Sequence, residues 1–118
     1  HTRDIGEVAA EVIENPEKYE NELMYLTGPE SLDHFEVAHI FSDVLGREII
    51  YKNPDDDTYR RVMKERGFSE EYIDAMIAVF GKIRKGEVAQ TSGMVEKILG
   101  RKAITLREYV KEMQQFFS

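Results

Sequence analysis

The stretch Thr27-Gly28-Pro29-Glu30-Ser31 lies between an apolar run and an amphipathic one, where an open α/β fold would hold a dinucleotide. Such a site needs closely spaced glycines, so that backbone can approach a pyrophosphate at a helix N-terminus. The eight glycines, at 6, 28, 46, 67, 81, 86, 93 and 100, include no two separated by one or two residues. The dinucleotide fingerprint is absent. Gly81-Lys82-Ile83-Arg84-Lys85-Gly86 has the glycine spacing of a Walker A loop, but Glu87-Val88 stand where Lys-Ser/Thr would meet phosphate and magnesium. That segment reads as the end of a helix.

Metal chemistry finds no better support. His34 and His39 are five apart and do not share a helical face, as a zinc pair would. Both read as residues of one helix, His34 in its first turn and His39 partly buried. Asp55-Asp56-Asp57 suggests calcium, but an EF-hand loop begun at Asp55 would put Arg66 where the bidentate glutamate belongs. Three acids after Pro54 suit a helix N-terminus, where the dipole favours negative charge. Cysteine is absent, and no serine has the setting of a nucleophile elbow. The carboxylates are spaced as solvated helix faces. Neither a catalytic, a cofactor-binding nor a metal-ligating residue can be assigned from these patterns.

Composition narrows the classes further. With 118 residues, 42% of them hydrophobic and 10% aromatic, one folded domain is expected. A net charge of −7 argues against nucleic acid, which calls for a basic patch. No apolar run approaches the roughly 20 residues of a membrane span, and nothing resembles a signal peptide. A soluble, cytoplasmic domain is the expectation. The first residue is His1, not methionine, so this is not expected to be the start of a nascent chain.

The elements that would position any site are well signposted. Asp33 with Glu36, Thr105 with Glu108 and Asp4 with Glu7 fit capping boxes. Leu32 with Val37, and Ile104 with Tyr109, are placed as hydrophobic staples. Gly46, Gly67, Gly86 and Gly100 follow helical runs where a left-handed terminal residue is wanted. These signals predict helices near 4–14, 33–45, 56–66, 69–85, 93–99 and 105–117. The last carries Leu106, Tyr109, Val110, Met113, Phe116 and Phe117 on one stripe. The helix from Ser69 carries Ile73, Met76, Ile77, Phe80 and Ile83 likewise, widened by Tyr72 and Val79.

Two segments read as strands, Leu23–Thr27 and Glu48–Lys52. Both are continuous apolar runs, as in strands buried on both faces of a parallel sheet. The helix between them implies a right-handed parallel crossover. Two strands cannot make such a sheet alone. The loop after the first strand and the apolar stripe of the helix from Ser69 are the candidate pocket walls. An ordinary tight connection accounts for the loop at least as simply, and core packing is the more usual role of such a stripe.

"TRDIGEVAAEVI", "YLTGPESLDHFEVAHIFSDVLGREIIY" and "GEVAQTSGMVEKILGRKAITLREYVKE", in that order, resemble the C-terminal portion of NmrA-like proteins. These are atypical members of the short-chain dehydrogenase/reductase superfamily. The resemblance implies an α/β fragment: a mainly helical substrate lobe, with a short two-stranded parallel sheet (βαβ) from the end of a Rossmann-type sheet. It implies that residues 1–118 are a single C-terminal substrate lobe whose N-terminal dinucleotide-binding domain lies outside this chain. NADP or NAD would belong to that missing domain. The superfamily's Tyr-x-x-x-Lys is also lacking: Tyr19, Tyr25, Tyr51, Tyr59, Tyr72 and Tyr109 are followed four residues on by Leu, Pro, Asp, Met, Met and Met.

Only the role of lining a substrate pocket transfers, to Gly28, Pro29, Tyr72, Met76, Phe80 and Ile83. The resemblance thus implies the substrate-binding part of an NAD(P)-dependent oxidoreductase acting on a small molecule, inert by itself. The alternative is a regulatory module, sensing the nicotinamide state and binding a protein partner without catalysis. Its expected partners are the missing Rossmann domain, a small-molecule substrate and, for the isolated chain, a second copy in a homodimer. Neither nucleic acid nor a membrane is among them.

Overall fold

Helix-start residues account for most of the architecture. A computed structural model of the chain describes residues 1–117. Its helices are α1 (Thr2–Glu14), α2 (Pro16–Tyr19), α3 (His34–Leu45), α4 (Asp56–Glu65), α5 (Glu70–Arg84), α6 (Met94–Leu99) and α7 (Leu106–Glu112). A 3-10 turn, Gln114–Phe116, follows α7. Asp33 caps α3 by accepting from the Glu36 N–H at 2.8 Å, and Glu36 returns a bond to the Asp33 N–H at 2.8 Å. Thr105 and Glu108 do the same for α7. Asp55 caps α4 and Ser69 caps α5, through the Thr58 and Tyr72 amides. Gly46 (φ 65°) and Gly100 (φ 67°) end α3 and α6 in the left-handed region, which glycine reaches without steric cost.

The chain forms two compact units, one from residues 1–50 with the stretch from Thr91 onward, the other from Tyr51–Gln90. In the first, α3 packs on α7 and α1 on α6. Val8, Ile40, Val95, Ala103 and Val110 are its buried apolar core. Arg107 of α7 reaches Asp43 of α3 at 3.0 Å, and Phe41 meets Phe117 edge to face at 5.2 Å. The second unit is a helical hairpin of α4 and α5 around Ile73, which is fully buried. Arg60 bridges Glu70 and Asp74 at 3.0 and 2.6 Å, Arg84 meets Asp56 at 3.0 Å, and Lys64 pairs with Glu70. Tyr59 packs edge to face on Phe80.

The expected two-stranded parallel sheet is not formed. The fold is helical, and no strand occurs among the described residues. Parallel strands need backbones about 4.8 Å apart sharing a ladder of hydrogen bonds. No ladder bond joins residues 23–27 to residues 48–52. Side chains hold these segments instead: the Ser42 hydroxyl donates to the Ala38 carbonyl and accepts from the Ile49 N–H at 2.9 Å. Thr27 Oγ1 accepts from the Ser92 N–H at 2.8 Å. Nor are the runs covered on both faces. Leu23 and Tyr25 are 79% and 71% exposed while Met24 and Leu26 are half-buried, and Ile50 is 70% exposed beside half-buried Ile49. The continuous apolar pattern is real, but this chain supplies cover on one side only.

Two smaller expectations are also corrected. Asp4 caps nothing; His1 caps α1, its Nδ1 accepting from the Arg3 N–H at 3.0 Å. His39 is exposed, not partly buried.

Candidate functional site

Asp4 fixes the geometry of the site from beneath. It is 2% exposed, accepts from the Ile104 N–H at 2.9 Å, and meets the Arg101 guanidinium at 2.8 Å. Arg101 also reaches Glu7, one turn along α1, at 2.6 Å. Burial pushes the Asp4 carboxyl upward, but the Ile104 amide and the Arg101 guanidinium outweigh it and hold the group below its ordinary range. The first turn of α1 is thereby tied to the segment leading into α7. At the start of α7, the Thr105 N–H holds the Glu108 carboxyl below its ordinary range.

Between these elements lies a groove of about 850 Å³. One wall is the loop Gly28-Pro29-Glu30 with Leu32, and another the α1 start at Thr2 and Arg3. The third comes from α7, which presents Leu106 and Tyr109 while Val110 turns into the core, and from Met113 just beyond it. Positions i, i+3 and i+7 share one helical face. The Tyr109 ring is held by edge contacts, 5.5 Å from the His1 ring and 6.3 Å from that of Phe117. Arg3 pairs with Glu112 across the groove, both side chains being about half exposed. The lining provides apolar walls, the Arg3–Glu112 pair and the polar groups of His1, Thr2, Glu30 and Thr105. It can hold a ligand of small-molecule size, for which pockets of about 300–1,000 Å³ are usual.

Of the residues expected to line a substrate, Gly28 and Pro29 stand in this groove. Tyr72, Met76, Phe80 and Ile83 belong to α5 in the second unit. There Met76, Phe80 and Ile83 are half-buried, and Tyr72 stacks on Phe68 at 5.0 Å. Sequence reasoning missed the α7 residues, because a helical stripe reads as core until its neighbours are known. Arg3 and Glu112 are 109 positions apart and gave no local signal. Gly81 lies in α5 and Gly86 just beyond it (φ 72°), so the Walker-like spacing is a helix end. Among the described residues no three His, Asp or Glu side chains gather as a metal site would require, and no helix is long and apolar enough to cross a membrane.

Fold and groove together define a helical module with a ligand-sized concave face and two one-sided apolar segments. The chain belongs to the NmrA-like family, whose model matches residues 1–110. It is 31% identical to an NAD(P)H azoreductase of Xenophilus azovorans over 109 residues, 92% of this chain and 38% of that protein. It is 24% identical over 111 residues to the prestalk A differentiation protein A of Dictyostelium discoideum, covering 94% of this chain and 36% of the relative. It is also 26% identical over 98 residues to the NmrA-like family domain-containing oxidoreductase flvB of Aspergillus flavus, covering 80% and 32%. The chain therefore spans about a third of the length of the curated relatives it matches.

Proposed function

We propose that this chain is the C-terminal, substrate-binding part of an NAD(P)-dependent NmrA-like oxidoreductase acting on a small molecule. Two relatives are named as an oxidoreductase and as an NAD(P)H azoreductase, and both extend well beyond the matched region. The observation that carries the reading is the one-sided exposure of Leu23, Tyr25 and Ile50. Apolar runs of this kind suit strands covered on both faces, and a dinucleotide-binding domain with its own sheet would supply the second cover. NADP or NAD would sit in that domain. This chain would supply pocket walls and no proton transfer, and a cytoplasmic setting fits the use of a nicotinamide cofactor.

The test is a calorimetric titration with NADPH of the 118-residue chain and of a polypeptide extended to the length of its relatives. Micromolar binding by the extended polypeptide, with none by the chain at millimolar cofactor, is the expected outcome. Saturable micromolar binding by the chain alone would overturn the reading, because a nucleotide site would then exist here without closely spaced glycines.

A further inference from the structure

The α4–α5 hairpin is built differently from the rest of the chain. Tyr51–Gln90 hold eight basic and eight acidic residues, so the net charge of −7 falls entirely on the other unit. Within the hairpin the charges are sorted by end. At the turn, Arg60 of α4 meets Glu70 and Asp74 of α5 at 3.0 and 2.6 Å, and Lys64 meets Glu70. At the open end, Asp56 of α4 meets Arg84 of α5 at 3.0 Å. Opposite charges therefore clasp both ends of the antiparallel pair and fix its register.

Apolar burial behind this clasp is thin. Among the hairpin's described residues only Ile73 is buried, while Tyr59, Met63, Met76 and Phe80 are half-buried. The ion pairs themselves are wet: the side chains of Asp56, Lys64, Glu70, Asp74 and Arg84 stay about half exposed or more. Exposed pairs contribute little singly and weaken as salt screens them. The first unit is held otherwise, by buried Val8, Ile40 and Val110 and by the buried Asp4 carboxylate at Arg101. A buried or partly buried pair of that kind is screened much less. Proteins open locally where buried apolar contacts are few, and here that place is the hairpin.

We propose that the α4–α5 hairpin is a salt-sensitive clasp, a unit that opens by parting α4 from α5 while the first unit stays folded. Opening uncovers Ile73 and takes Phe80 off the Tyr59 ring, on which it rests edge to face at 5.5 Å. An apolar face of α5 is thus closed at low ionic strength and becomes more accessible as salt rises. The clasp stands on the placement of these charges and on the division into two units, and it holds whether or not the chain belongs to an oxidoreductase.

The test is native-state hydrogen exchange of the isotopically labelled 118-residue chain at low and high sodium chloride. Between about 0.01 and about 1 M salt the screening length falls from about 30 to about 3 Å. Over that range the amides of Ile73, Met76, Ile77 and Phe80 should together lose about tenfold of their protection, and those of Val8, Ile40 and Val110 less than about twofold. Arg60→Met keeps the apolar stem and removes both of the Arg60 pairs, so hairpin protection should fall by about fivefold and depend less on salt. A hairpin left unprotected beside an intact first unit would be the same result carried further. Gly81→Ala acts in the opposite direction. Gly81 lies inside α5, and a Cβ there would meet nothing within 4 Å. Alanine favours the helix, so hairpin protection should rise by about fivefold with the first unit unchanged. The inference is overturned if both units exchange with one common salt dependence, if hairpin protection is the same at both salt concentrations, or if either variant shifts the first unit as much as the hairpin.

Discussion

Asp4 ties together parts of the chain a hundred residues apart, and its environment makes the tie dependent on pH. A carboxylate this buried is stable only because the Ile104 amide and Arg101 compensate its lost hydration. Its folded-state pKa lies below the unfolded value of about 3.9. The stabilisation is therefore present above that unfolded value and fades as pH falls through the folded one. Asp4→Asn keeps an acceptor for the Ile104 amide but loses the charge facing Arg101. We expect it to cost about 2 kcal/mol near neutral pH in urea unfolding, and the gap to the parent chain should shrink as the solution is acidified below about pH 4. A constant gap across that range would show that the charge is not what the fold uses. In the sequence, Asp4 and Glu7 imitate a capping box. Both turn instead to Arg101, and no local pattern could have announced a partner so distant.

Among the elements, the helices were legible because their signals are local. Asp33, Asp55, Ser69 and Thr105 each bond an amide two or three residues into the following helix, a short-range requirement written in adjacent residues. Thr105→Ala should cost about 1 kcal/mol by the same unfolding assay. Gly46→Ala isolates the backbone: a Cβ would meet nothing within 4 Å, so the left-handed φ alone should cost about 1 kcal/mol. A neutral Gly46→Ala in thermal unfolding would mean that the end of α3 relaxes.

The two supposed strands were misread for the opposite reason. Their apolar runs specify what they should pack against, and a run of Leu23-Met24-Tyr25-Leu26 cannot say whether its ladder partners lie in the same chain. Here Ser42 acts for the missing ladder by accepting from the Ile49 N–H. Ser42→Ala should strip hydrogen-exchange protection from the Ile49 amide and lower stability by about 1–2 kcal/mol. Unchanged protection at Ile49 would place its support elsewhere.

At the scale of the molecule, the outstanding quantity is exposed apolar surface. Leu23, Tyr25 and Ile50 each leave more than two thirds of their surface in water, and Ile13 on α1 is 78% exposed. Burying one such side chain gains about 1.5–3 kcal/mol, and segments with open backbone groups recruit neighbours. In the extended polypeptide we propose, the cofactor domain would take that place. In the 118-residue chain a second copy is the available substitute, so we expect it to dimerise through residues 23–27 and 48–50, by pairing or by exchange of these segments. Sedimentation equilibrium over a wide concentration range should show reversible self-association. The double variant Leu23→Lys/Tyr25→Lys should abolish it while leaving the helical circular dichroism intact, since neither side chain belongs to the buried core. A wild-type chain that stays monomeric at the highest concentrations would mean that these faces are tolerated in water, and would remove the main physical reason for placing a second domain against them.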